Sequence, residues 1–234
     1  MMRLASLFSG GKDSTFSIMR AREMGHEISC LISIDPVSDD SLLFHYPNSW
    51  VTDFLAESMR IPIVRSPAVG GSKEGEISSL EQAITRARSS HAFEGILHGG
   101  ISSQFQRKAF EKICEDNGLA VVAPLWGADP VAYTGELLDS GFHVMIVGVS
   151  AMGLGREWLG RILDWTMLQE LRMRSAKYGF NLNFEGGEAE TLVVDCPLYE
   201  KRLQVMSAET HWDGQRGIFE IREVALVEKS DHVR

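Results

Sequence analysis

The stretch Phe8–Thr15, Phe-Ser-Gly-Gly-Lys-Asp-Ser-Thr, follows a short apolar run and leads straight into a helical pattern. Two adjacent glycines take dihedrals closed to other residues and let a ligand approach the main chain. A glycine turn between a strand and a helix aims several N–H groups at one point, and the helix N-terminus adds partial positive charge there. Lys12 adds a full charge, and Ser9, Ser14 and Thr15 add hydroxyls. Asp13 suits an anion site only if a metal cation bridges the two charges. The stretch therefore predicts a site for a polyphosphate held with a divalent ion. Its spacing is not that of the common phosphate loop, which places four residues between glycine and Gly-Lys-Ser/Thr.

The chain after this turn alternates strand and helix patterns. Apolar runs at Met2–Phe8, Glu27–Ile34, Ile61–Ser66, Glu94–Gly100 and Leu119–Trp126 read as five strands. Helical patterns fall between them at Asp13–Met24, Asn48–Arg60, Ser78–His91 and Gln104–Gly118. The residues from Asp35 to Trp50 and from Pro67 to Ile77 read as long loops, the second glycine-rich and charged. Such alternation predicts an α/β fold, a Rossmann-type and mostly parallel sheet with helices on both faces. Ligands bind beyond the C-terminal strand ends of these sheets. That rule selects the turn at Gly10 and Gly11, the strand end at Asp35, and the loop His98-Gly99-Gly100 with Ser102 and Ser103.

The rhythm changes after Trp126. A helix, a strand, a long helix to Gly179 and two strand-like runs joined by Asp213–Gly217 predict a smaller α+β domain with a hairpin. The boundary is placed between residues 127 and 128, giving domains 1–127 and 128–234. Within the second lies Glu-Gly-Gly-Glu-Ala-Glu-Thr, Glu185–Thr191, three carboxylates around two glycines. Clustered acids repel one another unless a metal ion, an ammonium or a basic side chain sits among them.

The order of these motifs carries a resemblance. Ser-Gly-Gly-Lys-Asp-Ser resembles the signature of the PP-loop ATP pyrophosphatases, N-type enzymes of the HUP fold that cleave ATP between the α and β phosphates. The run Gly118–Trp126 and the block Glu185–Tyr199 are similar to those of one branch, the diphthine–ammonia ligase (diphthamide synthase) family. The resemblance covers nearly the whole chain. Ala189 stands where the family often has an aromatic residue, and Gln104 where an aspartate is frequent.

The resemblance implies an ATP-dependent ligase that forms AMP and pyrophosphate and makes the amide of diphthamide from diphthine on elongation factor 2, through an acyl-adenylate. The expected cofactors are ATP and magnesium. Ser9, Gly10, Gly11, Lys12, Asp13, Ser14, Thr15, Asp35, Gly99 and Gly100 are expected at the nucleotide, with Asp13 at the metal. Gln106, Arg107, Glu185, Gly186, Gly187, Glu188 and Thr191 are expected at the substrate. Lys12, Arg107, Glu188 and Glu190 are expected to be catalytic, one glutamate taking a proton from ammonium. The alternatives are a PP-loop tRNA-modifying enzyme and a non-catalytic adenine-nucleotide-binding regulator.

Bulk properties narrow the partners. A net charge of −9 weighs against a nucleic-acid partner. No apolar run approaches the ~20 residues of a membrane span, and no secretory leader is evident, so a cytoplasmic protein is expected. The three cysteines, Cys30, Cys114 and Cys196, are far apart and form no metal-binding pair, which weighs against sulfur transfer and zinc. A homo-oligomer is left open.

Overall fold

A computed structural model describes residues 1–35, 48–69 and 73–229. Most of the loop read from Asp35 to Trp50, and residues 70–72 of the glycine-rich loop, lie outside them. So do the side chains of Phe105 and Gln106. Contacts divide the chain into two units, Met1–Thr52 with Ile61–Asp129, and Asp53–Arg60 with Pro130–Arg234.

The first unit is a five-stranded parallel sheet. Its strands are β1 (Arg3–Leu7), β2 (Glu27–Asp35), β3 (Ile63–Pro67), β4 (Gly95–Leu97) and β5 (Ala120–Val122), in the order β3-β2-β1-β4-β5. The chain winds outward from β1 to β3, then crosses back to β4 on the other side of β1. Successive right-handed crossovers in opposite directions place helices on opposite faces. Accordingly α3 (Lys73–Arg88) and α4 (Gln104–Asp116) share one core with the sheet, built on Ala5, Cys30, Ile32, Leu80, Ile96 and Phe110. The helix α1 (Lys12–Glu23) buries Phe16, Ile18 and Ala21, all 0% exposed. Met19, next to Ile18, is half-buried.

Two boundaries differ from the sequence reading. The helix α3 begins at Lys73, five residues before the expected Ser78, and runs through Gly75. Ser79 explains its hold: the hydroxyl donates to the Gly75 carbonyl at 2.6 Å and accepts the Val69 N–H at 2.8 Å. The helix read from Asn48 begins later. Asn48 adopts a left-handed conformation with φ 73° and no side-chain cap bond, and Ser49–Val51 form a 3-10 turn before α2 (Thr52–Met59).

The second unit carries an antiparallel sheet in the order β7-β6-β9-β8. Its strands are β6 (His143–Val149), β7 (Ala189–Asp195), β8 (Lys201–Trp212) and β9 (Gly217–Glu228). The hairpin β8–β9 forms as expected, and its turn is held by Asp213, whose carboxylate accepts the N–H groups of Arg216 and Gln215 at 2.7 and 2.8 Å. Those donors hold the Asp213 carboxyl below its ordinary range. The segment Asp53–Arg60 joins this unit through Ser58, which donates to the Lys201 carbonyl at 2.6 Å, and through the Arg60–Glu200 ion pair at 2.6 Å. Alongside α5 (Pro130–Asp139) runs the long helix α6 (Trp165–Tyr178), and among the described residues no helix is long and apolar enough to cross a membrane.

α6 starts at Asp164, whose carboxylate accepts the Met167 N–H at 2.7 Å, and stops at Gly179 in the left-handed conformation. Asp164→Ala therefore lowers the unfolding free energy by about 1 kcal/mol, measured by urea denaturation. An unchanged midpoint would show that the cap carries no stability.

Candidate functional site

The first constellation lies where β1 and β4 meet. The sheet order reverses between them, so their loops diverge and leave a crevice at the C-terminal strand ends. Gly10, with φ 77°, turns the chain out of β1, and Gly11 in extended conformation begins α1 without a side-chain cap. Hydroxyls fill in around the turn. Ser9 Oγ accepts the Gly11 N–H and lies 3.2 Å from Ser14 Oγ, which accepts the Ser9 N–H. Thr15 is 0% exposed and donates to the Gly11 carbonyl at 2.9 Å, so its hydroxyl braces the turn from behind.

Gly99 closes the crevice from the β4 side. A Cβ built there would lie 2.5 Å from the Asp13 carbonyl carbon, 2.6 Å from its oxygen and 2.7 Å from the Ser14 nitrogen. All three are backbone atoms of the first turn of α1, so only glycine lets the two loops approach this closely. The expectation that Gly99 belongs with the Gly10–Ser14 turn is thus met in space, across about ninety residues of sequence. Gly100 donates its N–H to His98 Nδ1 at 3.1 Å.

Lys12 is 2% exposed, an unusual depth for an ammonium. It is paired with both Asp13 oxygens at 2.8 Å. The pair leaves a cation and a carboxylate side by side at a helix N-terminus, and an anion with its own cation can exchange with them.

Asp35 is held by Arg65 of β3 in a two-pronged ion pair, with the Nε–Oδ2 contact at 3.2 Å. Arg65 also donates to the Ser49 carbonyl and the Thr52 hydroxyl. Sequence reasoning did not single out this arginine; in the β2–β3 register it pairs with Ser33, two residues before Asp35, so its side chain reaches Asp35 diagonally. Arg107, in the first turn of α4, donates to Glu111 at 2.6 Å and lies over the Trp126 ring at 4.7 Å. Trp126, read only as part of a strand motif, is therefore a shelf for that guanidinium. Gln106 sits on the same turn.

The second constellation, Glu185–Thr191, belongs to the other unit. Its two glycines have separate tasks. Gly187 has φ 79°, and a Cβ on Gly186 would lie 2.7 Å from Glu188 Oε1. That closeness arises because Glu188 folds back over its own loop. Its oxygens accept the Asn181 N–H at 3.0 Å and the Gly186 N–H at 2.8 Å. Its carbonyl accepts the N–H groups of Ser150 and Ala151, and Ser150 donates its hydroxyl to the Gly187 carbonyl. Glu190 is placed differently. It stands on β7 opposite Gly148 of β6, where a Cβ would come within 3.0 Å of the Glu190 Cβ. The missing side chain at Gly148 makes room for Glu190 on the sheet face. Thr191 pairs with Ile146, and buried Ala189 with Val149. Glu185 keeps its N–H on Asn183 Oδ1 at 3.4 Å.

Two other groups of reactive side chains are accounted for structurally. Burial pushes the Cys30 and Cys114 thiols up to about 11 and Cys196 to about 12, so none is a ready thiolate at neutral pH. Glu209, His211 and Glu220 meet on the exposed face of the hairpin. There Arg222 bridges both carboxylates, at 3.1 and 2.7 Å, and offsets part of their charge.

The diphthamide synthase N-terminal domain matches residues 2–121, and the diphthamide synthase C-terminal domain matches residues 129–227. A diphthine–ammonia ligase of Danio rerio is 33% identical, over 89% of this chain and 88% of its own length. That of Homo sapiens is also 33% identical, over 89% and 84%. A solved structure titled as a predicted subunit of tRNA methyltransferase from Methanocaldococcus jannaschii is 16% identical over 84% of this chain and 98% of its own, with a TM-score of 0.43.

The contact at Gly99 is open to a direct test. Gly99→Ala forces the β4 loop away from the first turn of α1, and overpacking of this kind typically costs about 1–3 kcal/mol. Thermal unfolding of the variant measures it. A Gly99→Ala protein as stable as the parent would show that the loops are not in contact.

Proposed function

The chain belongs to the diphthamide synthase family, and on that premise we propose that it is an ATP-dependent amide ligase joining ammonia to the carboxylate of diphthine on elongation factor 2. The observation that supports this best is the Gly99 approach, which brings two glycine loops and a buried lysine to one helix N-terminus. That arrangement suits a polyphosphate.

In this reading the diphthine carboxylate attacks the α-phosphorus of ATP. The bond to the bridging oxygen breaks, pyrophosphate leaves, and an acyl-adenylate forms. Lys12 and the N–H groups at Gly11–Ser14 meet the charge that develops on the leaving pyrophosphate. Ser9 and Ser14 donate beside them, and Thr15 keeps the turn in shape. Asp13 suits magnesium, since the ion is commonly held by one or two carboxylates together with phosphate oxygens and water. When bound, the ion neutralises phosphate charge; Lys12 then exchanges Asp13 for phosphate oxygen. Asp35, steadied by Arg65, borders the nucleoside side of the crevice. Arg107, with its planar fork, takes the α-phosphate or the substrate carboxylate.

Ammonia completes the reaction. Ammonium has no lone pair, so a base removes a proton before nitrogen attacks the acyl carbon and AMP departs. Glu188 has both oxygens engaged by backbone N–H groups, and its role is to hold the loop with Gly186 and Gly187. The base is Glu190, which projects from a strand where Gly148 leaves it space. Glu185 and Thr191 flank the ammonium and the acyl group.

Two measurements test the scheme. Lys12→Ala lowers substrate-dependent release of AMP and pyrophosphate by about 10²–10³, the usual loss for one preorganised donor. Release of ADP by the parent protein, or no release with diphthine-bearing elongation factor 2, would point instead to a kinase-like activity or a nucleotide sensor. Glu190→Gln retains exchange of labelled pyrophosphate into ATP but slows amide formation. Raising the pH partly restores it, because free ammonia then forms without a base. A parallel loss of both half-reactions would move Glu190 to ATP or substrate binding.

A further inference from the structure

His98 stands immediately after β4, between Leu97 and Gly99. It is 2% exposed. Its own N–H donates to the Val122 carbonyl at 3.1 Å, which fixes it to the end of β5. The ring lies against Phe110 of α4, with centroids 4.7 Å apart. Nδ1 accepts the Gly100 N–H at 3.1 Å, so that nitrogen carries no hydrogen and the ring proton belongs to Nε2.

A phenylalanine would fill this space against Phe110 without burying two nitrogens. An imidazole at this depth needs a task for its polar atoms, because burial of an unbonded polar group is costly. The Nδ1 bond is local, from residue 98 to residue 100, and it spans the glycine whose backbone is pressed on Asp13 and Ser14. With so little clearance at Gly99, a small rotation of the turn either separates the two loops or drives them together.

We propose that His98 is a positioning residue for the phosphate site. Its Nδ1 sets the Gly99–Gly100 turn, and the turn in turn holds the first residues of α1 in the arrangement that receives the polyphosphate. This rests on the reading of that site as the place of ATP. His98 does not touch the nucleotide; it acts through Gly100.

Three substitutions separate this role from simple packing. Asparagine carries an acceptor near the Nδ1 position, glutamine carries one near Nε2, and phenylalanine keeps the ring with no acceptor. The KM for ATP and kcat of pyrophosphate release are measured for the parent, His98→Asn, His98→Gln and His98→Phe, together with thermal midpoints and ATP binding by calorimetry. The KM for ATP rises about fivefold in the glutamine and phenylalanine variants, the worth of one net hydrogen bond. The asparagine variant restores it, and kcat changes little throughout. A purely structural histidine gives the reverse order, with phenylalanine nearest the parent and asparagine losing stability and activity together; that result overturns the proposal. Equal KM values in all four proteins overturn it as well, while leaving the ATP site standing. A parent protein that binds no ATP fells the site reading, and the role of His98 with it. The contrast between asparagine and glutamine remains available if the phenylalanine variant does not fold.

Discussion

Where β4 ends, the backbone of Gly99 lies so close to Asp13 and Ser14 that no side chain fits between them. Much of the first unit is arranged around that approach. The strand order places β1 and β4 side by side, the crossovers send α1 to one face and α3 and α4 to the other, and the glycine turn at Gly10 lets α1 start at the sheet edge. A larger residue at position 99 would separate a cation-bearing helix terminus from the loop that completes its pocket. Burial of Lys12 adds a second constraint. An ammonium this deep requires a counter-charge, and Asp13 provides it at 2.8 Å.

The acidic block of the second unit shows how alike residues are given different work by backbone position. Glu188 and Glu190 are two apart in sequence. Glu188 precedes the strand, and its carboxylate is drawn into the loop by two N–H groups. Glu190 lies within β7, where the alternation of side chains and the absence of one at Gly148 set it on the sheet face. A carboxylate that holds a loop and a carboxylate set on a sheet face thus come from one short motif. The three cysteines are buried, and burial holds each as a thiol.

Legibility followed the range of the interactions. The strand–turn–helix at Phe8–Thr15, the alternation of elements and the β8–β9 hairpin depend on neighbours in sequence, and all were readable there. The early start of α3 was not, because Gly75 reads as a loop residue and only the bonds of Ser79 show how it is held in a helix. Arg65 and Trp126 escaped notice for a similar reason. Neither lies in a motif of its own chemistry, and each gains a role from a partner, Asp35 or Arg107, that folding brings to it. β7 was hidden behind the acidic residues at its start, which masked the apolar run Leu192–Val194 that follows.

By itself the sequence determined the class of fold, the glycine turn before α1 and the presence of an acidic block, because glycine dihedrals and side-chain periodicity act over a few residues. Only the tertiary structure decided which distant glycine closes the crevice, which glutamate is spent on a loop and where a buried histidine directs its lone pair. The first turns on separations of 2.5–2.7 Å between segments far apart along the chain, and the other two on where the folded backbone sets its N–H groups. Such separations are fixed by packing, and packing is a property of the whole unit.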